Sequence, residues 1–306
     1  MPQGSILGPQ WFGAYIQDLS SVVNCLKLRF YVDDTQGFVS CAPSEVQQVV
    51  GRVNRDLDNL VQKFCSEHLL VNPKKTQVIV FGTAPMLRRI PEVTLTVGGT
   101  QVEASKEVTN LGVIMDASLT MTSHVEGVAS KCIGALRQIS QVRQLFDRKS
   151  LSTLVDSLVF SRLYYCASLF SGISQKSLNR LQRVQNYAAK VVLGGRKTDH
   201  ASHLIRQLGW LRVGDELEKR SLVMSYKIRN GAAPAYLSHL GWGAVRDDRL
   251  RHRNVERTER SRTQLQSSSF HHRMARTYPA LPDEITGAGT VSSFKSRLHK
   301  FLAGRG

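Results

Sequence analysis

Three observations in this 306-residue sequence predict an α+β chain with an all-helical second half. Apolar–polar alternation punctuated by turn doublets is confined to residues 1–117, where it alternates with helical stripes. From Ser118 onward apolar residues recur only at the three- and four-residue spacing of helices. After Gly194-Gly195 the chain becomes strongly basic, and the stretch from Arg246 to Arg276 is rich in Arg, His, Ser and Gln and poor in large aliphatics. The expected organisation is a strand-and-helix region at 1–117, a helical region at 118–195 and a basic region at 196–306, flexible over 242–270.

Gly8-Pro9 opens a short helix whose face holds Trp11, Phe12, Tyr15, Ile16 and Leu19. The run Cys25 to Phe30 alternates as a strand, Tyr31-Val32-Asp33-Asp34 forms the tip, and Thr35 to Val39 returns as the second strand. Ser44 is positioned to cap a long helix carrying Val46, Val49, Val50, Val53, Leu57, Leu60, Val61 and Phe64. Short strands are expected around Leu69 to Asn72 and Gln77 to Phe81. A hairpin follows at Val93 to Val97 with its Gly98-Gly99 turn, then a strand from Val108 to Met115.

Three amphipathic helices come next. Their stripes are Val125, Val128, Ala129, Cys132, Ile133 and Leu136, then Leu151 to Leu163, then Leu178, Leu181, Val184, Ala188 and Val191. Gly194-Gly195-Arg196-Lys197-Thr198 breaks the third. Further helix is expected from Asp215 to Asn230 and from Val291 to Leu302, with Phe294, Leu298 and Phe301 on the inner face of the last.

Net charge of +17 and a pI near 10 favour a polyanionic partner, because each neutralised phosphate releases condensed counterions. No run approaches the ~20 apolar residues of a membrane span, and the start of the chain has no signal-peptide pattern. Nucleic acid is therefore favoured over a membrane surface. The five cysteines, Cys25, Cys41, Cys65, Cys132 and Cys166, lack Cys-x-x-Cys pairing, which argues against a zinc site or disulfide scaffold and for free thiols in the core. Cations such as Lys131, Arg137, Arg143, Arg148 and Lys149, and later Arg180, Arg183, Lys190, Arg196 and Lys197, decorate the helical region.

A bare Asp-Asp turn is ordinary, since Asp tolerates turn dihedrals. Its company here is not. Pro2-Gln3-Gly4-Ser5-Ile6-Leu7-Gly8-Pro9 precedes it, and Asn72-Pro73-Lys74-Lys75-Thr76 and Asn110-Leu111-Gly112-Val113 follow in order. This set resembles the reverse transcriptase of non-LTR (LINE-type) retrotransposons, closest to the Jockey-like group, most densely over Met1 to Val128. The resemblance implies a partial polymerase palm at 1–117, a helical thumb at 118–195 and a C-terminal region at 196–306.

By that resemblance Asp33 is the principal metal ligand and Asp34 the supporting one, for Mg²⁺ or Mn²⁺. Gln3, Gly4 and Tyr31 would meet template, primer terminus and incoming nucleotide. Lys75 would neutralise the departing pyrophosphate, with Lys74 the rival assignment. Leu111 and Gly112 would form the primer grip. Partners would be an RNA template, a DNA primer and deoxynucleotides, with nuclear and cytoplasmic location and no secretion. The family's first metal-binding carboxylate lies ahead of the Pro-Gln-Gly-Ser block. These residues alone are therefore expected to lack one ligand and the fingers, and to be inactive in isolation. A non-catalytic, basic nucleic-acid-binding relic is the alternative, and a helical interaction domain a third reading.

Overall fold

The computed structural model describes residues 6–170, 172–196, 198–240 and 263–305. It divides into two compact units, Met1–Leu119 and Thr120–Gly306.

In the first unit, α1 (Gly8–Tyr15) carries Pro9 in its first turn and runs into a 3₁₀ turn at Gln17–Val22. β1 (Lys27–Tyr31) and β2 (Asp34–Phe38) form an antiparallel hairpin in the register Leu28 opposite Gly37 and Tyr31 opposite Asp34. α2 (Val46–Ser66) buries Val46, Val49, Val53, Asp56 and Leu60. That spacing confirms the expected stripe and adds a carboxylate in its middle. The core here joins Ile16, Leu19, Leu28 and Leu60, with Phe12, Phe30, Leu57 and Phe64 packed against them.

A short α3 (Ala84–Leu87) precedes two more hairpins, β3 (Thr94–Val97) with β4 (Thr100–Glu103), and β5 (Glu107–Asn110) with β6 (Val113–Asp116). Gly98 and Gly99 both have positive φ, 55° and 79°, as a two-residue turn matched to strand twist requires. Mixed helix and small antiparallel sheets are thus the architecture, but each sheet among the described residues has two strands.

Several expectations need correction. Ser44 does not cap α2: Pro43–Glu45 is a 3₁₀ turn, and the Glu45 carboxylate accepts from the Ala42 N–H at 3.2 Å. The runs at 69–72 and 77–81 are not strands. Pro73 starts a 3₁₀ turn between them, and the pairing of the second run is limited to an isolated bridge from Val78 to Ala104. Val108 to Met115 is a hairpin rather than one strand, because Leu111 and Gly112 turn it at φ 46° and 80°.

In the second unit, α4 (Thr122–Val142) packs on α8 (Gln175–Leu193). Between them run α5 (Arg148–Val155), a π-helical turn at Asp156–Phe160, α6 (Ser161–Leu163) and α7 (Ala167–Phe170). Asp147 caps α5 by accepting the Ser150 N–H at 2.8 Å. Gly194, at φ 70°, ends α8 in the left-handed conformation that glycine adopts most easily. α9 (Ala201–Gln207) leads to α10 (Val213–Arg229), and a 3₁₀ turn follows at Ala235–Leu240.

Further on lie α11 (Gln264–Ser268), α12 (Phe270–Thr277), α13 (Asp283–Thr286) and α14 (Val291–Ala303). Residues 241–262 lie outside the described residues, whereas 263–276 are largely helical and bury Met274 and Ala275 against α10 and α14. The part of the expected flexible segment that is described is therefore folded, since Phe270 and Met274 supply one turn of apolar face. Tyr226 stacks on Phe294 at 4.3 Å at the centre of this cluster.

Of the five thiols Cys132 alone is buried, and its Sγ–H donates to the Val159 carbonyl at 3.5 Å. Burial pushes this thiol up to about 11. Cys41 and Cys65 are exposed, which corrects their expected place in the core. No helix among the described residues is long and apolar enough to cross a membrane.

Candidate active site

The site residues in the first unit are assembled by α2 and three polar contacts. Asp56, 2 % exposed, accepts the backbone N–H groups of Asn24 (3.0 Å), Cys25 (2.7 Å) and Leu26 (2.8 Å). Those amides lead directly into β1, so one carboxylate fixes where the hairpin leaves α2. Burial pushes its pKa up, but the three N–H donations and neighbouring Arg55 outweigh this and hold it below the ordinary carboxylate range. Sequence reasoning missed Asp56. The signal was available: an acid at the fourth position of the stripe Val46, Val49, Val53, Asp56, Leu60.

β1 turns its alternate residues Leu28 and Phe30 toward the core. Alternation places Lys27, Arg29 and Tyr31, with their partners Phe38, Gln36 and Asp34, on the opposite face. The Arg29 guanidinium lies 5.6 Å from the Phe38 ring centre on that face. Tyr31 and Asp34 therefore stand opposite each other beside the turn, with Asp33 in the turn itself. All three are exposed. Val32, the first turn residue, has φ 55°. That left-handed conformation is unfavourable for a β-branched residue and common for glycine, so the tip holds a locally strained backbone.

Gln36 shares the outward face with Asp34. Its Nε2 donates to the Asn110 Oδ1 at 2.7 Å, and the Asn110 Nδ2 donates back to its Oε1 at 3.2 Å. This reciprocal amide pair joins residues 74 apart in sequence and sets the Asp33-Asp34 hairpin against the hairpin whose turn is Leu111-Gly112. Gln77 completes the arrangement. Its Oε1 accepts the Thr109 N–H at 3.1 Å, tying the stretch after Lys75 to the same β5 strand. Lys74 and Lys75 themselves are exposed on a 3₁₀ turn that Asn72 caps by accepting the Lys74 N–H at 3.1 Å.

Residues in or beside three of the four motif blocks are thus linked by side-chain hydrogen bonds within one unit. Of the fourth, Pro2 to Ser5, with Gln3 and Gly4, lie outside the described residues, and Gly8-Pro9 opens α1. Among the described residues no group of three or more His, Cys, Asp or Glu side chains is placed to hold a metal ion. Asp33 and Asp34 offer two adjacent exposed carboxylates, a donor set suited to a hard cation but short of a complete centre.

Comparison with known proteins agrees with the motif reading. The chain is 23% identical over 246 residues to a probable RNA-directed DNA polymerase from transposon BS of Drosophila melanogaster. It is 22% identical over 275 residues to the RNA-directed DNA polymerase from mobile element jockey of Drosophila funebris. The chain resembles transposon RNA-directed DNA polymerases. These alignments cover 75% and 86% of this chain, but only 26% and 29% of the two relatives. The similarity to these LINE-type polymerases therefore runs well past the motif-dense first 128 residues and takes in most of the helical unit. No protein-family model matches the chain. No solved structure matches it either.

Proposed function

We propose that the chain is part of the RNA-directed DNA polymerase of a LINE-type retrotransposon, with Asp33 and Asp34 contributing to its metal centre. The observation that supports this reading is the Gln36–Asn110 pair, which ties β2, two residues after Asp34, to the residue before the Leu111-Gly112 turn. The partners would be an RNA template, a DNA primer and deoxynucleotides.

In this reading bound Mg²⁺, or Mn²⁺ in its place, would stabilise charge on the attacking and leaving oxygens of nucleotidyl transfer. Asp33 and Asp34 would hold the cation from the turn and from the first position of β2. Tyr31, opposite Asp34, and Val32 would pack against the primer terminus. Lys75 would balance negative charge on the pyrophosphate, a role that its exposed ammonium permits. Leu111 and Gly112 would position primer backbone, where a glycine turn allows close approach. The exposed cations Lys131, Arg137, Arg148, Lys149, Arg180 and Arg183 would contact phosphates of template and primer.

The resemblance implies a further carboxylate in the complete centre, so Asp33 and Asp34 alone are a partial donor set for turnover. The purified 306-residue chain is therefore expected to bind an RNA–DNA template–primer without extending it. Binding should weaken linearly on a log–log salt plot, with a slope of about −0.9 per phosphate neutralised on duplex. Extension that is lost in Asp33→Ala would overturn the incomplete-centre reading. Binding indifferent to salt would overturn the nucleic-acid reading. The second reading, a non-catalytic nucleic-acid-binding relic, is favoured by the net charge of +17 and gains if Asp33→Ala leaves every measured property unchanged.

A further inference from the structure

The second unit contains a cavity of about 420 Å³ that the polymerase reading does not use. Its volume falls within the range of about 300–1,000 Å³ typical of small-molecule sites. Tyr164 and Gln185, 7 % and 1 % exposed, form its floor, and Asp156 stands at its open side. Phe160 and Trp210 wall it as an edge-to-face pair with ring centres 4.7 Å apart.

The polar groups are unevenly spent. The Gln185 Nε2 donates to the Leu211 carbonyl at 2.8 Å and, at 3.4 Å, to the Tyr164 hydroxyl oxygen. The Tyr164 O–H proton finds no acceptor among the described residues. Asp156 likewise forms no ion pair or side-chain hydrogen bond among them, and burial pushes its carboxyl above the ordinary range. The cations at the site are already committed. Glu216 pairs with Arg220 at 2.8 Å and Lys219 at 2.5 Å, and the Arg220 guanidinium lies 4.7 Å from the Tyr164 ring centre.

A small organic cation would therefore meet a cation–π position that Arg220 already fills, in a chain of net charge +17. A flat, uncharged heterocycle suits the remaining features better. It needs two adjacent N–H donors for the Asp156 carboxylate, an acceptor for the Tyr164 O–H, and a π-face for Phe160 or Trp210. Guanine meets all three, because N1–H and the 2-amino group point the same way beside its O6. Adenine presents no such donor pair. We propose that this cavity takes one guanine base of a single-stranded nucleic acid, held by Asp156 and stacked on the Phe160–Trp210 wall. The inference rests on the nucleic-acid reading above and adds a base-specific contact to it.

The test is titration of the full chain with 5′-GMP and, separately, 5′-AMP, followed through the Trp210 indole resonance. GMP is expected to saturate near ~1 mM, as suits a single stacked and hydrogen-bonded base. Asp156→Asn should weaken GMP about tenfold and leave AMP unchanged, while Trp210→Ala should weaken both. Asp156 is at the surface, so its variant tests the contact without disturbing the core. Absence of saturable GMP binding, equal binding by Asp156→Asn, or tighter binding of N-acetyl-argininamide than of GMP would overturn the proposal. Oligo(U), which lacks guanine, separates the two readings. If it binds with the expected salt dependence while GMP does not, the cavity proposal falls alone. If neither binds, the nucleic-acid reading falls with it.

Discussion

Replacing Asp56 by Asn tests how the acidic hairpin is held. The carboxylate accepts three backbone N–H groups at 2.7 to 3.0 Å, and two of the donors, Cys25 and Leu26, are half-buried. Asn retains one acceptor oxygen; placed on the Oδ2 side it keeps the Cys25 and Leu26 bonds without their charge, while its NH₂ group faces the Asn24 N–H and that bond is lost. Bonds to a charged acceptor contribute about 1.5–3 kcal/mol against about 0.5–1.5 for neutral ones, so losing one and neutralising two has an expected cost of ~2–3 kcal/mol. The chain has two units, so a single global transition is a poor reporter.

Amide hydrogen exchange across β1 and β2 reads the local opening directly. The cost corresponds to a rise of roughly 30- to 150-fold in exchange at Leu28 to Tyr31, with α8 unaffected. The pH dependence has a definite sign. The folded pKa of Asp56 is depressed, so its contribution is complete above the unfolded carboxylate range and fades as pH falls through the folded value. Wild type should therefore lose hairpin protection on acidification, and Asp56→Asn should show a flatter profile. Unchanged exchange in the variant at neutral pH would refute the claim that Asp56 anchors the hairpin.

Two other outcomes follow from the same site. Gln36→Ala and Asn110→Ala should each destabilise the hairpin pair, and the double-mutant cycle should show coupling of ~1 kcal/mol, read by exchange at β2 and β5. Strict additivity would mean the pair contributes nothing. Val32→Gly relieves a left-handed β-branched residue and should stabilise the tip by ~1 kcal/mol, seen as slower exchange at Tyr31 and Asp34. Faster exchange would show that the Val32 side chain contributes packing that outweighs its backbone strain.

Helix positions were legible because their signal is periodic. The α2 stripe and the last helix's Phe294, Leu298 and Phe301 agree with the structure, although Leu302 rather than half-buried Phe301 completes the buried row. The Gly98-Gly99 hairpin was legible because that doublet supplies two positive-φ residues. Leu111-Gly112 was harder, since Leu at φ 46° is not a turn signal. The runs at 69–72 and 77–81 show what alternation omits: β-propensity needs a partner, and theirs is reduced to one bridge. At the site, the residue types were readable in order, but the amides that join them were not. Gln36, Gln77 and Asn110 are unremarkable alone, and their pairing across up to 74 residues appears only once the chain is folded.

The π-helical turn at Asp156–Phe160 changes how its segment can be edited. Leu151, Val155, Val159 and Leu163 recur at every fourth residue and are all buried. In an uninterrupted α-helix each such step drifts by about 40°, so the three steps would carry Leu163 about 120° off the core side. The wider turn absorbs that drift, and it also delivers Asp156, Phe160 and Tyr164 to the cavity. A π turn is one residue wider than an α turn, so deleting one residue from 156–160 would close it to a regular α-helix and leave everything beyond it facing nearly as before. Leu163 would stay in the interior and Tyr164 on the cavity floor, while the wall between Asp156 and Phe160 would be rebuilt. The extra residue thus shapes the pocket rather than the packing, and a chain one residue shorter here could keep its buried row and would have to rebuild only the cavity wall.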